Sequence, residues 1–290
     1  MTTAPDMLYH LGGVPVGGLP FFKTYTSKVY YVDTVNGSDN NSGESIREAK
    51  ATIAAAVTLV NNRISWSDSP WGRRDIIIIL PGTYAENLTS LPYGAVMYGV
   101  GLDNRDAQSG VKVKPASGDP VDVGSCINTE FYNIGFESPG TGAAFDADIC
   151  NNSYFYNCFF TGAAEATTAV YAFYTTDATK LTLDNCWFCN ADNGIYFNYT
   201  NANDKAAYVN IKDCIITGCS ATGIYTHKNL VGPHSVVRGT HISGSGQTCL
   251  IGIDDNAGIL DVSWTTTESS TGFSGCRSVN GSYANGSLIG

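Results

Sequence analysis

Five segments of this 290-residue chain share one pattern and decide its fold: FYNIGF (131–136), FYNCFF (155–160), LDNCWF (183–188), IKDCII (211–216) and RGTHIS (238–243). The third place of each segment is polar, and its occupants are Asn133, Asn157, Asn185, Asp213 and Thr240. Their spacings are 24, 28, 28 and 27 residues. A period of this size, filled with short apolar runs and turns, is typical of a solenoid in which each repeat forms one coil. The segments therefore predict an all-β chain wound as a right-handed parallel β-helix.

The same alignment predicts columns of like side chains along the solenoid. Asn133, Asn157, Asn185 and Asp213 would share a corner, because asparagine tolerates unusual backbone angles and its amide can bond the residue above or below. The place that follows holds Ile134, Cys158, Cys186, Cys214 and His241, and cysteine is a small apolar residue that suits a tight interior stack. The alternative is an antiparallel β-sandwich, which needs a hairpin turn about every 8–12 residues.

The part of the chain that precedes these coils predicts a cap for the open end of the solenoid. Ser45 and Glu48 have the spacing of a capping box. Ile53, Ala56, Val57 and Val60 follow at the spacing of one apolar helix face, which predicts a short amphipathic helix near 49–62. The apolar run Ile76–Leu80 predicts a strand buried on both faces beneath that helix. The coils would start near Arg74 and end near Trp264.

Three regions follow from this reading. Residues 29–267 form the β-helix with its cap, and residues 268–290 form a Ser/Gly-rich C-terminal tail. Residues 1–28 combine proline and glycine with apolar side chains, which indicates an extended arm that docks on a partner. We expect six apolar residues to anchor this arm: Leu8, Tyr9, Leu11, Val14, Val16 and Phe21.

Composition narrows the classes of partner. The net charge is −10, which argues against binding to nucleic acid and to anionic membranes, since both need a basic face. The N-terminus has neither the basic nor the apolar region of a secretory signal. The chain contains nine cysteines, and two of them, Cys186 and Cys189, have CxxC spacing. A structural zinc site needs a second such pair, which the sequence lacks. We therefore expect reduced thiols, no metal and no cofactor.

Two stretches resemble known families. VDTVNGSDNNSG, ATIAAAV and IIIILPGTYAENL, within Val32–Leu88, resemble the opening of pectate-lyase-like β-helix proteins. LYHLGGVPVGG, Leu8–Gly18, resembles the start of β-helix proteins encoded among tailed-phage structural genes. The resemblance implies a virion component that carries an N-terminal attachment arm. We expect it to be a capsid decoration protein that attaches to the major capsid protein and forms a homotrimer.

Candidate catalytic residues are few. Asp254 and Asp255 are adjacent carboxylates of the kind that glycoside hydrolysis uses, but a solvated turn between two strands is the favoured explanation. Asp146 and Asp148 alternate along a predicted strand and so share one face, which could hold a carbohydrate or a cation, although an ordinary polar outer face is the favoured explanation. No cation lies beside a recurrent Asp column, as a pectate lyase would require. We therefore expect a non-catalytic virion protein. The alternative is a tailspike-like β-helix that binds or depolymerises polysaccharide.

Overall fold

The computed structural model describes residues 27–63, 74–101, 110–162, 169–202, 204–230, 235–243, 251–269, 271–276, 278–284 and 287–289. Its strands pair almost entirely in parallel and stack into three sheets along one axis. This arrangement confirms the predicted right-handed parallel β-helix. Among the described strands only the last two pair antiparallel, so the β-sandwich alternative is wrong.

Each coil contributes one strand to each sheet in turn. Sheet 1 contains β1 (Val29–Val32), β2 (Ile76–Ile79), β4 (Val96–Gly99), β7 (Glu130–Tyr132), β10 (Tyr154–Tyr156), β13 (Thr182–Asp184), β17 (Asn210–Lys212), β20 (Ser235–Arg238), β23 (Leu260–Ser263) and β26 (Ser278–Asn280). Sheet 2 contains β3 (Gly82–Tyr84), β5 (Val111–Val113), β8 (Ile134–Glu137), β11 (Phe159–Thr161), β14 (Trp187–Cys189), β18 (Ile215–Thr217), β21 (His241–Ser243), β24 (Thr266–Glu268), β27 (Ser282–Ala284) and β28 (Ser287–Ile289). Sheet 3 contains β6 (Asp122–Ile127), β9 (Ala143–Asn151), β12 (Ala169–Thr179), β15 (Ala191–Phe197), β19 (Thr222–Thr226), β22 (Ile251–Asp255) and β25 (Thr271–Ser274), and β16 (Ala206–Ala207) pairs beside β12.

Phenylalanine side chains form stacks inside the middle coils of the solenoid. The rings stack because side chains at the same position of successive coils lie directly above one another in a parallel ladder. Each sheet supplies one stack: Phe131 with Phe155, Phe136 with Phe160 and Phe188, and Phe145 with Phe173. Within each stack the ring centroids are 4.5 to 5.4 Å apart and the rings are nearly parallel. All seven rings are fully buried, so these stacks form the centre of the core.

The corner between sheets 1 and 2 holds the asparagine column. Asn133, Asn157, Asn185 and Asp213 all have φ between 51° and 56°, in the left-handed region. The Asn157 amide donates to Asn133 Oδ1 at 2.8 Å, and the Asn185 amide donates to Asn157 Oδ1 at 3.4 Å. The amides thus link neighbouring coils at a place where the backbone must turn sharply.

The column continues one residue earlier than the sequence alignment predicted. Strand pairing places Lys212 beside Arg238, so Gly239 follows Asp213 at the corner and Thr240 does not. Gly239 has a φ of 63°, and no Cβ is needed there. Thr240 instead faces inward above Cys214, and His241 lies on the outer face with Nδ1 2.6 Å from Thr266 Oγ1. The alignment was wrong here because a slip of one residue exchanges the two faces of a strand.

The cap is helix α1 (Ile53–Asn62), which contacts β1 and β2. Its buried residues are the four that the apolar spacing picked out: Ile53, Ala56, Val57 and Val60. Ser45 and Glu48, however, begin only a 3-10 turn (Ile46–Glu48). The N-cap of α1 is Thr52, whose Oγ1 accepts from the backbone N–H of Ala55 at 3.2 Å. The helix therefore starts later than position 49.

The ladder extends beyond both predicted ends. Strand β1 already pairs with β2, so the first rung of sheet 1 precedes Arg74. Beyond Trp264, β24 to β27 continue the parallel pairing, and β28 folds back on β27. Much of the predicted tail 268–290 is thus solenoid.

Candidate functional site

The three column cysteines lie in the interior. Cys158, Cys186 and Cys214 are each 1% exposed. Burial raises the pKa of the Cys186 and Cys214 thiols well above the usual range. Thiols held neutral in an apolar stack are poor nucleophiles and poor metal ligands. These residues therefore serve packing.

Asp254 and Asp255 do not form a catalytic pair. They are consecutive residues of β22, so their side chains lie on opposite faces of sheet 3. Asp255 is 1% exposed, and it accepts from Thr226 Oγ1 at 2.5 Å and from the backbone N–H of Leu260 at 2.7 Å. Asp255 is consequently a structural carboxylate, and Asp254 alone reaches the outer surface.

The outer face of sheet 3 carries a row of tyrosines. Tyr174, Tyr196 and Tyr225 occupy one register position in three consecutive coils, and Tyr171 lies beside them on the same face. The centroids of Tyr196 and Tyr225 are 4.4 Å apart with the rings 10° from parallel, and those of Tyr174 and Tyr196 are 6.0 Å apart at 8°. Tyr171 lies 4.9 Å from Tyr174 and 4.7 Å from Tyr196. We call these four residues the tyrosine ladder.

Carboxylates occupy the same register position at both ends of the ladder. Asp146 of β9 pairs with Tyr174 on one side, and Asp254 of β22 pairs with Tyr225 on the other. Asp122 lies one coil beyond Asp146, and Asp148 follows two residues along the same strand. Sequence alternation had placed Asp146 and Asp148 on one face, and that face is the outer one.

Asp146 has the most perturbed carboxyl of this surface. Its pKa is raised from 3.8 to about 7, first by burial and then by the negative charges of Asp122, Asp119 and Asp148. Burial and like charge both disfavour the ionised form. Near neutral pH this side chain therefore exists as a mixture of acid and carboxylate, able to donate as well as accept a hydrogen bond.

Three phenol groups of the ladder, those of Tyr171, Tyr174 and Tyr196, stay protonated near neutral pH. Burial, followed by the surrounding tyrosines and carboxylates, raises the pKa of Tyr171 and Tyr196 above the usual range. The Asn198 amide donates to Tyr174 Oη at 2.8 Å. At one flank Ser220 Oγ donates to Asp192 Oδ1 at 2.6 Å. The face thus presents oriented hydroxyls and carboxylates.

No cation interrupts this surface within the strands. The eight strands of sheet 3 contain aspartate but neither lysine nor arginine. The outer faces of sheets 1 and 2 do carry cations, such as Lys212 and Lys112, which pair with Asp184 and Glu137. Among the described strands, those of sheet 3 therefore combine outward carboxylates with an absence of cations.

The sequence identified Asp146 and Asp254, at the two ends of this row, as candidate site residues, but not the tyrosines between them. The run AVYAFYT (169–175) contains two tyrosines, Tyr171 and Tyr174, and nothing in the sequence distinguishes them. The strand pairing places Tyr174, the second of the two, opposite Tyr196. Only the strand register shows which tyrosine continues the column.

Three other features concern metal binding, membrane-spanning helices and the N-terminal arm. Across the ranges that the structure describes, no group of three or more His, Cys, Asp or Glu side chains could hold a metal ion. Within the same ranges no helix has the length and apolarity to cross a bilayer. The arm anchors Leu8, Tyr9, Leu11, Val14, Val16 and Phe21 lie outside the described residues.

Comparison with known proteins shows the fold. The structure is similar to the pectin methylesterase from Aspergillus niger, with a TM-score of 0.54 and 16% identity over 92% of this chain and 87% of that chain. It is also similar to pectin methylesterase PemA from Erwinia chrysanthemi, with a TM-score of 0.51 and 11% identity over 93% and 92% of the two chains. No protein-family model matches the sequence. No curated protein matches it either.

Proposed function

We propose that this chain is a polysaccharide-binding β-helix whose ligand lies on the tyrosine ladder. The observation that carries the proposal is the uninterrupted outer row from Asp146 through Tyr174, Tyr196 and Tyr225 to Asp254. Tyrosine combines an apolar ring with a hydroxyl, and carboxylates accept hydrogen bonds from sugar hydroxyls. The similarity in fold to two pectin methylesterases supports a polysaccharide ligand but does not identify it.

A glycan array with two variants tests this assignment. Tyr196→Ala removes the middle of the ladder and should weaken binding of any retained glycan at least about tenfold. Trp264→Gly is the matched control, because this indole is 71% exposed at the opposite corner, between sheets 1 and 2. Its φ of 51° suits glycine, so the control should remain folded. Equal binding by wild type and Tyr196→Ala would contradict the proposal.

A second candidate is cleavage of the bound polysaccharide at the same face. A general acid works best when its pKa is near the working pH, and the pKa of Asp146 is about 7. Asp122 and Asp148 lie on the same face and could act as the second carboxylate. This candidate predicts that the protein releases oligosaccharides and that Asp146→Asn abolishes release while binding persists. Binding without release would leave the first proposal alone.

We also propose a place for the molecule: a virion of a tailed phage, attached as a homotrimer to the capsid through residues 1–28. The support is the resemblance of Leu8–Gly18 to the N-termini of phage β-helix proteins. Apolar anchors stabilise attachment by about 25 cal/mol per Å² buried, before ordering costs. A chain lacking residues 1–20 should stay folded yet fail to join particles. Normal incorporation of that truncation would refute this placement.

A further inference from the structure

We infer that the polysaccharide taken by the tyrosine ladder is neutral and hydroxyl-rich, and that it lies along the solenoid axis. This inference rests on the proposed function and narrows it to a ligand class. Three features of the described surface support it: the sign of its charge, its hydrogen-bonding groups and its direction.

Charge excludes the anionic class of polysaccharide. Asp122, Asp146, Asp148, Asp192 and Asp254 all belong to sheet 3, whose strands have no lysine or arginine. A uronate polymer would place a row of carboxylates against these side chains. Like charges brought together at an interface repel each other, and no cation on these strands offsets the repulsion. Uronate recognition would need arginine or lysine in this row.

The hydrogen-bonding groups suit a polyol. Tyr174 Oη already accepts from the Asn198 amide, which leaves its own hydrogen free to donate to a ligand oxygen. Carboxylates at Asp146 and Asp254 can accept from sugar hydroxyls at the two ends of the row. A neutral sugar both donates and accepts at every hydroxyl, whereas an ammonium group only donates. Carboxylates lie only at the two ends of the row, so the three tyrosine hydroxyls in its middle offer an ammonium group no charge to pair with, and they suit a neutral sugar.

The direction of the row follows from how the rings stack. Tyr174, Tyr196 and Tyr225 come from successive coils and lie nearly parallel to one another, so their faces contact each other along the axis. Their edges and hydroxyls are what remain for a ligand. The row spans five coils from Asp146 to Asp254, and at about 4.8 Å per rung it is roughly 19 Å long. A surface of this shape contacts an extended chain lying parallel to the axis.

The test compares polymer classes on the intact protein. Isothermal titration would use neutral glucans, mannans and galactans of several linkages, polygalacturonate as the anionic probe and chitosan as the cationic one. We expect at least one neutral polymer to bind and polygalacturonate not to bind. Tyr196→Phe, which keeps the ring and removes the hydroxyl, should weaken neutral binding about three- to tenfold. The double variant Asp146→Asn/Asp254→Asn should gain affinity for polygalacturonate.

The outcomes separate the two levels of the argument. Preferential binding of polygalacturonate or of chitosan by the wild type would overturn the ligand class and leave polysaccharide binding in place. Neutral binding that Tyr196→Phe leaves unchanged would also overturn it, because the hydroxyl row would then have no part in recognition. Failure of every polymer to bind would refute the proposed function itself, and the ligand class with it.

Discussion

Replacing Asp146 by asparagine should stabilise the protein above neutral pH and should have little effect in acid. The folded state holds the pKa of this carboxyl at about 7, against 3.8 for the free side chain. Below about pH 3 both folded and unfolded chains carry the proton, so ionisation costs nothing. As the pH rises from about 4 to about 7 the unfolded chain ionises first, and wild-type stability therefore falls. Asparagine has no proton to lose and escapes this penalty.

The size of the effect follows from the shift. The rise in the pKa of Asp146 from 3.8 to about 7 would lower the free energy of unfolding by about 4 kcal/mol if it were fully expressed, since a change of one in pKa corresponds to about 1.36 kcal/mol. The side chain is partly exposed at the surface, so solvent screening reduces the contribution to about 1–2 kcal/mol. We expect Asp146→Asn to be more stable than wild type by this amount at pH 8, and the difference to shrink towards zero at pH 4.

Urea unfolding followed by circular dichroism at pH 4, 5.5 and 8 measures the difference directly. Asp148→Asn is the matched control, because this residue lies two positions along the same strand, its side chain is exposed, and its charge is the smallest of the causes that raise the pKa of Asp146. Its free energy of unfolding should change by less than about 0.5 kcal/mol. A wild type that is as stable as Asp146→Asn at pH 8, or a gain that does not depend on pH, would refute the reasoning.

Three further predictions concern the fold, and urea midpoints measure each of them. The free energy of unfolding of Asn157→Ala should be about 1–2 kcal/mol lower than that of Asn157→Gly, because alanine is strained at the φ of 51°. Equal urea midpoints for the two variants would mean that the corner relaxes. Phe145→Ala should lower the free energy of unfolding by about 3–5 kcal/mol, since the ring is fully buried against Phe155 and Phe173. A loss under about 1 kcal/mol would show that neighbouring side chains move in to fill the cavity. Glu86→Ala should lower the free energy of unfolding by about 1–2 kcal/mol. The Glu86 carboxylate accepts from the backbone N–H groups of Ile53 and Ala54 at 2.8 and 2.9 Å and so caps α1. An unchanged urea midpoint would show that water replaces the cap.

The long-range partner of the cap helix illustrates what spacing cannot predict. The apolar face of α1 follows from local periodicity, because a helix places residues three and four apart on one side. Glu86 is 33 positions from Ile53, and nothing in its neighbourhood along the chain marks it as a cap. A second asparagine corner, in which the Asn152 amide donates to Asn128 Oδ1 at 2.5 Å, was missed in the same way. Both contacts depend on how coils of unequal length are aligned.

The sequence by itself determined the solenoid, the asparagine corner and the buried face of the cap, because each follows from a repeat. The solenoid and its corner follow from the 24–28-residue spacing of the coils, and the cap follows from the spacing of residues on one helix face. Only the tertiary structure decided that Gly239 continues the corner after Asp213, that Asp255 turns inward, and that Tyr174 joins Tyr196 and Tyr225. The physical reason is register. A shift of one residue between coils reverses which side chains meet solvent, and the pairing of whole strands across the stack selects the shift.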